Sequence, residues 1–307
     1  MDWDNLRFFL ETARAGTLAA AARRLEVDHT TVSRRIQALE KSLGRPLFVR
    51  SATGFAPTEA GRELLPHAEA MEAASRAIDA DRAAHRPPGE LAGTVRIGTT
   101  EGFGAAVLAP RLAAFGAAQP KLLVDLLAVP RTVNLGRREA DIVVGLERPA
   151  RGEVIAVRLC DYALRLYACA DYLRAHAAIE RTEDLAQHPF VGYIDDLLFS
   201  RELQYLREMG PPRRFALRST SIVAQWQAVA AGAGLGVLPV FLAGADPRLR
   251  EVLPGQASLT RTFWMSMPVE NKGLPRMQAV WEFLKQVAAD SGALLRGPDA
   301  AAATSGG

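Results

Sequence analysis

Residues 18–43 restrict the fold more than any other stretch, because their apolar side chains follow two helical periods separated by a short break. The first helix presents Ala21 and Ala22, whose small side chains allow the close helix crossing of a helix-turn-helix. The second helix repeats apolar side chains at helical spacing, at Val32, Ile36, Leu39 and Leu43. The pattern predicts a helix-turn-helix, although pairs of short amphipathic helices also occur in other α-helical proteins.

The side of the second helix opposite its apolar stripe is polar, with Thr30, Arg34, Gln37 and Lys41, and Asp28 or His29 can cap its start. Such a face fits the major groove of DNA. We expect base contacts from His29, Thr30, Thr31 and Arg34, a phosphate contact from Arg35, and a further DNA contact from Ser33. The alternative is that the two arginines belong to an ordinary solvated face.

Positive charge is concentrated in the part of the chain that holds this motif. Residues 1–62 contain ten basic and seven acidic side chains, and this excess of three equals the formal net charge of the whole chain. A localised excess of positive charge is typical of a surface that binds nucleic acid.

Composition and cysteine usage are those of an ordinary globular protein. The 307 residues are 49% hydrophobic and 23% charged, and this length predicts two or three folded units. Because the sequence shows neither a long uncharged apolar run nor a secretory signal, we expect a cytoplasmic protein with no membrane partner. Cys160 and Cys169 fit neither a disulfide framework nor a metal pair. Plain buried thiols are the first interpretation of these cysteines, and a redox switch is the second.

Residues 58–86 predict one long helix that begins at Thr58. Leu64, Met71 and Ile78 recur at intervals of seven and form a narrow apolar seam. A small helix-turn-helix domain cannot cover such a seam, so a partner helix is one interpretation and packing on the chain's own C-terminal part is the other. Pro87-Pro88-Gly89 then predicts a linker.

After residue 90, short β-like segments alternate with helical ones. The predicted strands are 94–98, 122–129, 141–146, 154–159, 164–168, 190–193, 215–218, 236–238 and 262–268. This alternation indicates an α/β fold with a mostly parallel sheet covered by helices. Residues 291–307 are small and polar, which predicts a disordered tail.

Residues 2–67 carry an ordered set of motifs that resembles the N-terminal domain of LysR-type transcriptional regulators. The set includes Gly16-Thr17-Leu18, Val32-Ser33-x-x-Ile36, Leu43-Gly44-x-x-Leu47-Phe48-x-Arg50 and Pro57-Thr58-x-Ala60-Gly61. His29 departs from the glutamine usual in the family and presents different hydrogen-bonding groups to a base. Looser matches follow, such as Gly93-x-x-Arg96-Ile97-Gly98 and Gly234-Leu235-Gly236-Val237-Leu238-Pro239.

The resemblance implies a winged helix-turn-helix over 1–62, a dimerisation helix over 63–90 and an effector-binding domain over 91–290. That last domain would have the doubly wound, two-lobed α/β fold of periplasmic binding proteins, with lobe I at 91–161 and 268–289 and lobe II at 162–267. The wing would bring Arg50 and Thr53 to DNA. The resemblance also implies antiparallel pairing of linker helices, a homotetramer built as a dimer of dimers, and contact with RNA polymerase.

Hydroxyl side chains follow two predicted strands where helices begin, at Thr99 and Thr100 and again at Ser219, Thr220 and Ser221. Helix N-termini attract anions, and in doubly wound sheets such ends meet at a cleft. We therefore expect an anionic small-molecule effector there, with Arg131, Glu147 and Tyr193 as weaker candidates. The alternative is that these hydroxyl groups only cap helices.

Other function classes fit the sequence less well. It contains no GxSxG, Walker or HExxH motif, and its five histidines lack metal-ligand spacing. We therefore expect no enzymatic activity, no catalytic residue, no metal and no cofactor. A solute-binding protein would lack residues 1–62, and an architectural nucleic-acid protein would not need a cleft domain. The sequence predicts a sequence-specific DNA-binding regulator whose DNA binding or promoter activation is modulated by an effector.

Overall fold

The computed structural model describes residues 2–51, 54–84, 91–135, 139–150, 153–208 and 212–297. The chain divides into two compact units, here called the N-terminal unit (1–88) and the C-terminal unit (89–307). Among the described residues, no helix combines the length and the apolar character needed to cross a membrane.

The N-terminal unit begins with three short helices. These are α1 (Trp3–Ala15), α2 (Leu18–Leu25) and α3 (His29–Leu43). Asp2, Thr17 and Asp28 cap their N-termini through side-chain oxygens, each of which accepts a backbone N–H of the first turn. Ala21, Val32 and Ile36 are buried in one apolar cluster, and Phe9 and Leu39 are buried in a second. The predicted helix-turn-helix is confirmed.

A two-stranded wing and one long helix complete this unit. They are β1 (Phe48–Ser51), β2 (Gly54–Pro57) and the 26-residue α4 (Glu59–Ala84). The Thr58 hydroxyl accepts from Gly61 N at 3.0 Å, as expected of an N-cap. A Cβ at Gly61 would lie 2.3 Å from the Leu47 carbonyl oxygen, so this glycine allows α4 to pack directly on the start of the wing.

The first part of α4 therefore belongs to the core of the N-terminal unit. Ala68 is buried there, and Leu64 and Leu65 pack against the same cluster. Arg14 Nη2 also bonds Glu72 Oε2 at 2.9 Å. The expected boundary at residue 62 thus differs from the packing, which continues to Glu72. Leu64 faces the unit's own core, and the Ile78 side chain lies outside the described residues.

The C-terminal unit alternates strands and helices. Its strands are β3 (Gly93–Thr100), β4 (Leu122–Val129), β5 (Ile142–Gly145), β6 (Val154–Cys169), β7 (Phe190–Gly192), β8 (Phe215–Arg218), β9 (Leu235–Pro239), β10 (Leu249–Glu251) and β11 (Ser258–Pro268). Its α-helices are α5 (Glu101–Phe103), α6 (Ala109–Ala118), α7 (Ala170–Ala175), α8 (Tyr205–Glu208), α9 (Ile222–Ala230), α10 (Val240–Ala243), α11 (Pro275–Asp290) and α12 (Gly292–Arg296). A π-helical turn, Gly104–Leu108, joins α5 to α6.

The strands form one continuous sheet in the order β4-β3-β5-β11-β6-β9-β7-β8, with β10 also paired to β6. The pairs of β3 with β4 and β5, and of β7 with β8 and β9, are parallel. Every pair that involves β6 or β11 is antiparallel. We call the part around β3–β5 the first lobe and the part around β7–β9 the second lobe. The expected parallel sheet holds within each lobe, whereas the strands that join the lobes are antiparallel.

The two joining strands differ from the expectation in two respects. Predicted strands 154–159 and 164–168 are one strand, β6, because Asp161 accepts a hydrogen bond of 2.7 Å from the Thr262 hydroxyl on β11 instead of ending the strand. A register shift at Phe263/Trp264 interrupts the β6–β11 pairing, and Trp264–Ser266 already pair with β5. The second crossing between lobes therefore lies near residue 263, not at 267/268.

The C-terminal segment is ordered further than expected. Residues 292–296 form α12, in which Leu295 is 1% exposed, and Arg165 Nη2 donates to the Arg296 carbonyl at 3.2 Å. The prediction of a disordered tail from residue 291 is thus wrong for residues 291–297, since a buried leucine anchors them. Residues 298–307 lie outside the described residues.

Candidate functional site: an exposed helix face and an interlobe cavity

One side of α3 is buried and the other is open to solvent. Val32, Ile36 and Leu39 are at most 4% exposed. The exposed residues on the other side are His29, Thr30, Arg34, Gln37 and Lys41, whereas Thr31 and Ser33 are half-buried. This exposed set matches the polar face that helical periodicity predicts.

The first turn of α3 is held by Asp28. Its Oδ1 accepts from both the backbone N and the hydroxyl of Thr30, each at 2.7 Å. These hydrogen bonds hold the pKa of Asp28 below its usual value. The ring nitrogen Nδ1 of His29 lies 3.5 Å from the same carboxylate oxygen. The Thr30 hydroxyl is thus engaged in the cap, which leaves His29 and Arg34 as the more available side chains.

Arg34 and Arg35 are neighbours with different environments. Arg35 lies 3.3 Å from both Asp2 Oδ2 and Asp4 Oδ2, and its guanidinium stacks 5.6 Å above the ring of Phe8. These contacts tie α3 to the start of α1, so the expected phosphate contact from Arg35 is not favoured by its position. Arg34 is exposed, and in the described part of the chain it has no ion pair.

The wing, formed by β1 and β2, holds the other two residues expected to contact DNA. Arg50 lies on β1 opposite Phe55 on β2, and Phe55 N donates to the Gly16 carbonyl at 2.8 Å, which fixes the wing to the α1–α2 turn. The Arg50 side chain and the whole of Thr53 lie outside the described residues. Their DNA contacts therefore stay predictions.

The C-terminal unit contains a cavity between its two lobes, with about 440 Å³ of free space including its opening to solvent. The first lobe contributes Thr100, Glu101, Gly102, Phe103, Pro130 and Leu146. The second lobe contributes Leu164, Tyr193, Phe199, Leu203, Tyr205, Thr220, Ile222, Pro239 and Phe241, and the joining strands add Tyr162 and Phe263. Ligand sites in proteins commonly lie at such a junction between two lobes.

Three of the eight residues expected to bind the effector line this cavity: Thr100, Tyr193 and Thr220. Ser219 and Ser221 lie beside it and organise α9. The Ser219 hydroxyl accepts from Ser221 N at 3.1 Å, and the Ser221 hydroxyl accepts from Ala224 N at 3.0 Å as the N-cap. The capping interpretation thus fits Ser221, whereas effector contacts from these hydroxyl residues stay a prediction.

The other three expected residues lie outside the cavity lining. Thr99 is 2% exposed, and its hydroxyl has no hydrogen-bond partner in the described ranges. Arg131 is exposed and donates to Glu139 Oε2 at 2.7 Å. Glu147 accepts from the Ser200 hydroxyl at 2.6 Å and from Arg201 N at 3.2 Å. Glu147 thus forms a hydrogen-bonded contact between the lobes on the exposed surface, and Arg131 pairs with Glu139 within the first lobe.

Sequence reasoning missed Glu101 and most of the aromatic wall. Phe103 stacks against Phe263 with ring centroids 4.5 Å apart, and Tyr162 stacks on Phe263 at 4.4 Å. Tyr193 and Tyr205 meet edge to face at 6.0 Å. Glu101 directly follows the predicted Thr100, so its position was a usable signal, but no sequence pattern brings together aromatic residues so far apart along the chain.

Burial dominates the electrostatics around the cavity. It raises the pKa of Tyr162, Tyr193 and Tyr205 well above the usual range, and the charge of Glu101 contributes to the rise at Tyr193. These hydroxyl groups therefore stay protonated at physiological pH. They can donate or accept hydrogen bonds in the cavity.

Neither cysteine has the setting of a reactive thiol. Both are free, and burial raises the pKa of Cys160 to about 12, which disfavours the thiolate. Cys169 is buried, and its Sγ accepts from Tyr172 N at 3.4 Å. Across the described residues, no cluster of three or more potential metal ligands occurs.

Two family profiles match the chain. Residues 3–62 match "Bacterial regulatory helix-turn-helix protein, lysR family", and residues 88–289 match "LysR substrate binding domain". Together these matches span both units.

Individual proteins are similar over most of the chain. The Mau operon transcriptional activator of Paracoccus denitrificans is 33% identical over 242 residues, which cover 79% of this chain and 81% of that protein. The HTH-type transcriptional regulator TfdS of Cupriavidus pinatubonensis is 32% identical and covers 79% of this chain and 84% of its own length. A solved full-length OxyR variant from Pseudomonas aeruginosa shares the fold, with a TM-score of 0.68, 20% identity and 94% of each chain covered.

Proposed function

Because this chain belongs to the LysR family of bacterial transcriptional regulators, we propose that α3 reads its operator and that the interlobe cavity holds its effector. Members of this family combine a helix-turn-helix that binds promoter DNA with an effector-binding domain, and they form oligomers. The chain is accordingly a DNA-binding transcriptional regulator and not an enzyme.

In the proposed complex, the exposed face of α3 enters the major groove. Arg34 is the main base-reading residue, since its guanidinium can donate two hydrogen bonds to guanine. His29 lies at the start of the helix, where side chains reach base edges. Arg50 and Thr53 of the wing contact the backbone beside this groove. Arg35 acts indirectly, because it fixes the angle between α1 and α3.

The effector acts through the two lobes. Among the described residues, four hydrogen bonds between side chains of one lobe and groups of the other connect them: Ser221 to Glu101, Ser200 and Arg201 N to Glu147, and Thr132 to the Phe199 carbonyl. A molecule that binds the cavity with different affinity in the closed and open arrangements shifts the balance between them. In a homotetramer, that shift changes the spacing of the N-terminal units on DNA and their contact with RNA polymerase.

The observation that carries this proposal is the pairing, in one chain, of an exposed polar α3 with a cavity between two lobes. The test uses the purified full chain and a pool of random DNA duplexes. Duplexes that the protein retains are sequenced with and without a small-molecule extract of growing bacteria. We expect one enriched motif with two-fold symmetry, and a change in its affinity or half-site spacing with the extract. Retained DNA without a common motif would contradict sequence-specific reading, and an extract without effect would contradict the sensing role.

A further inference from the structure

Glu101 occupies the position where an anion was expected. It begins α5 in the first lobe, and its Oε1 accepts a 3.0 Å hydrogen bond from Ser221, the N-cap of α9 in the second lobe. The N-terminus of α9 therefore already has a carboxylate beside it. A second anion in the cavity would be repelled by this charge in a poorly solvated place.

The other carboxylate oxygen of Glu101 is unsatisfied. Oε2 is buried and has no hydrogen-bond partner in the described part of the chain. A buried charged oxygen without a donor is costly, and Glu101 lines the cavity, so a ligand donor that reached Oε2 would be stabilised there.

Basic side chains do not offset this charge at the cavity surface. Among the described residues that line it, none is Arg or Lys. Arg261 is the cation that acts on Tyr162 and Tyr205, but it already pairs with Glu202 at 2.9 Å and with Glu208. The cavity as a whole therefore favours a positive ligand.

The rest of the wall suits an ammonium group attached to an apolar body. Tyr205 is 2% exposed, and its hydroxyl interacts with that of Tyr193 in the same wall. The π faces of Tyr and Phe attract cations, and Phe103, Phe241 and Phe263 offer an apolar surface.

We infer that the effector is a small protonated organic amine with an apolar body, and that Glu101 Oε2 is the acceptor for its ammonium group. This inference rests on the proposed function of the cavity as the effector site. The inferred effector is a cation, whereas the sequence predicted an anion. Because Oε1 of the same carboxylate holds Ser221, the ligand binds at a contact between the lobes and can influence their closure.

The test compares three probes that share a benzyl or phenyl body and differ in charge: benzylamine, which is protonated at neutral pH, benzyl alcohol and benzoate. Binding to the full chain is measured by calorimetry at concentrations up to about 10 mM, which reaches weak millimolar complexes. We expect benzylamine to bind at least about tenfold more tightly than the other two. Glu101→Gln, which keeps the shape and removes the charge, should remove this preference.

Glu147→Gln is the matched control, because Glu147 also bridges the lobes but does not line the cavity. This variant should keep the preference for benzylamine, and circular dichroism should show both variants folded. Equal or tighter binding of benzoate or benzyl alcohol, weakened by Thr220→Val, would overturn the amine inference and leave the cavity as a ligand site. Benzylamine binding that Glu101→Gln does not change, or no binding of any probe, would also overturn the inference. The DNA-retention experiment judges the proposed function separately.

Discussion

In the N-terminal unit, the residues proposed to read DNA bases lie on one exposed face of a single helix, α3, whereas the residues around the cavity come from segments between Thr100 and Phe263 and are mostly buried. On α3 the useful side chain is Arg34, which has no ion pair among the described residues, and its bonded neighbour Arg35 has a structural role. In the cavity the useful atom is Glu101 Oε2, which is buried and has no hydrogen-bond partner in the part of the chain that the structure describes. An exposed charged side chain can meet a charged partner directly. A buried site gains its affinity from polar atoms that have been removed from water and that a ligand can satisfy.

The largest expected effect tests whether the two units have separate cores. Phe9 and Phe103 are each 0% exposed, one in each unit, so Phe9→Ala and Phe103→Ala should each cost about 3–5 kcal/mol of unfolding free energy. Hydrogen exchange followed by mass spectrometry should show faster exchange only in residues 1–84 for the first variant and only in residues 91–297 for the second. If either variant loosened both units equally, the comparison between separate units would fail.

The next effect sharpens the contrast between the two neighbouring arginines. Arg34→Ala should weaken binding to the selected operator by about 1–3 kcal/mol, with a smaller loss on scrambled DNA, because a base contact is removed. Arg35→Ala should instead lower the stability of the N-terminal unit by about 1 kcal/mol, since it loses half-exposed ion pairs and a cation–π contact. Fluorescence anisotropy at one fixed salt concentration and thermal unfolding measure these effects. Equal losses of Arg34→Ala on both DNAs would make Arg34 a phosphate contact.

A third prediction concerns the exposed part of α4. Met71 is 41% exposed although it is apolar, whereas Leu64 packs on the unit's own core. Met71→Glu should therefore weaken self-association by roughly tenfold, because burial of a methionine contributes about 1.5–3 kcal/mol. Arg62→Glu, nine positions earlier and on the opposite side of the helix, is the control. Light scattering over a dilution series should show a lower mass only for Met71→Glu. An unchanged mass would exclude this part of the seam from the interface.

The smallest effect separates two neighbouring threonines. Thr99→Val removes a buried hydroxyl that has no hydrogen-bond partner among the described residues, so it should leave ligand affinity unchanged and stabilise the C-terminal unit by at most about 1 kcal/mol. Thr100→Val and Thr220→Val change residues that line the cavity and should weaken the effector or its amine probe by roughly two- to tenfold. Calorimetry and thermal unfolding give both quantities. A loss of affinity in Thr99→Val would mean that this hydroxyl turns toward the ligand in the bound state.

Prediction from sequence was most successful where one local period decides the environment of a side chain. The apolar stripe of α3 fixes which residues are exposed, and Thr58 marks the start of α4. Prediction was less successful where contacts between two distant segments decide the environment of a side chain. Aspartate disfavours strands, yet Asp161 lies within β6, where its carboxylate accepts a hydrogen bond from the Thr262 hydroxyl of β11. Leu295 is one of two leucines in an otherwise small and polar segment, yet its burial orders α12.

The sequence by itself determined the helix-turn-helix, the long α4 and the α/β character of the C-terminal unit, because helical and strand periods act between residues close in the chain. Only the tertiary structure decided that Arg35 binds Asp2 and Asp4, that Thr99 lies outside the cavity lining, and that the carboxylate of Glu101 meets Ser221. These outcomes depend on which side chains from separate segments share one buried volume. The charge of the cavity is therefore a property of the packed lobes, and local sequence patterns do not encode it.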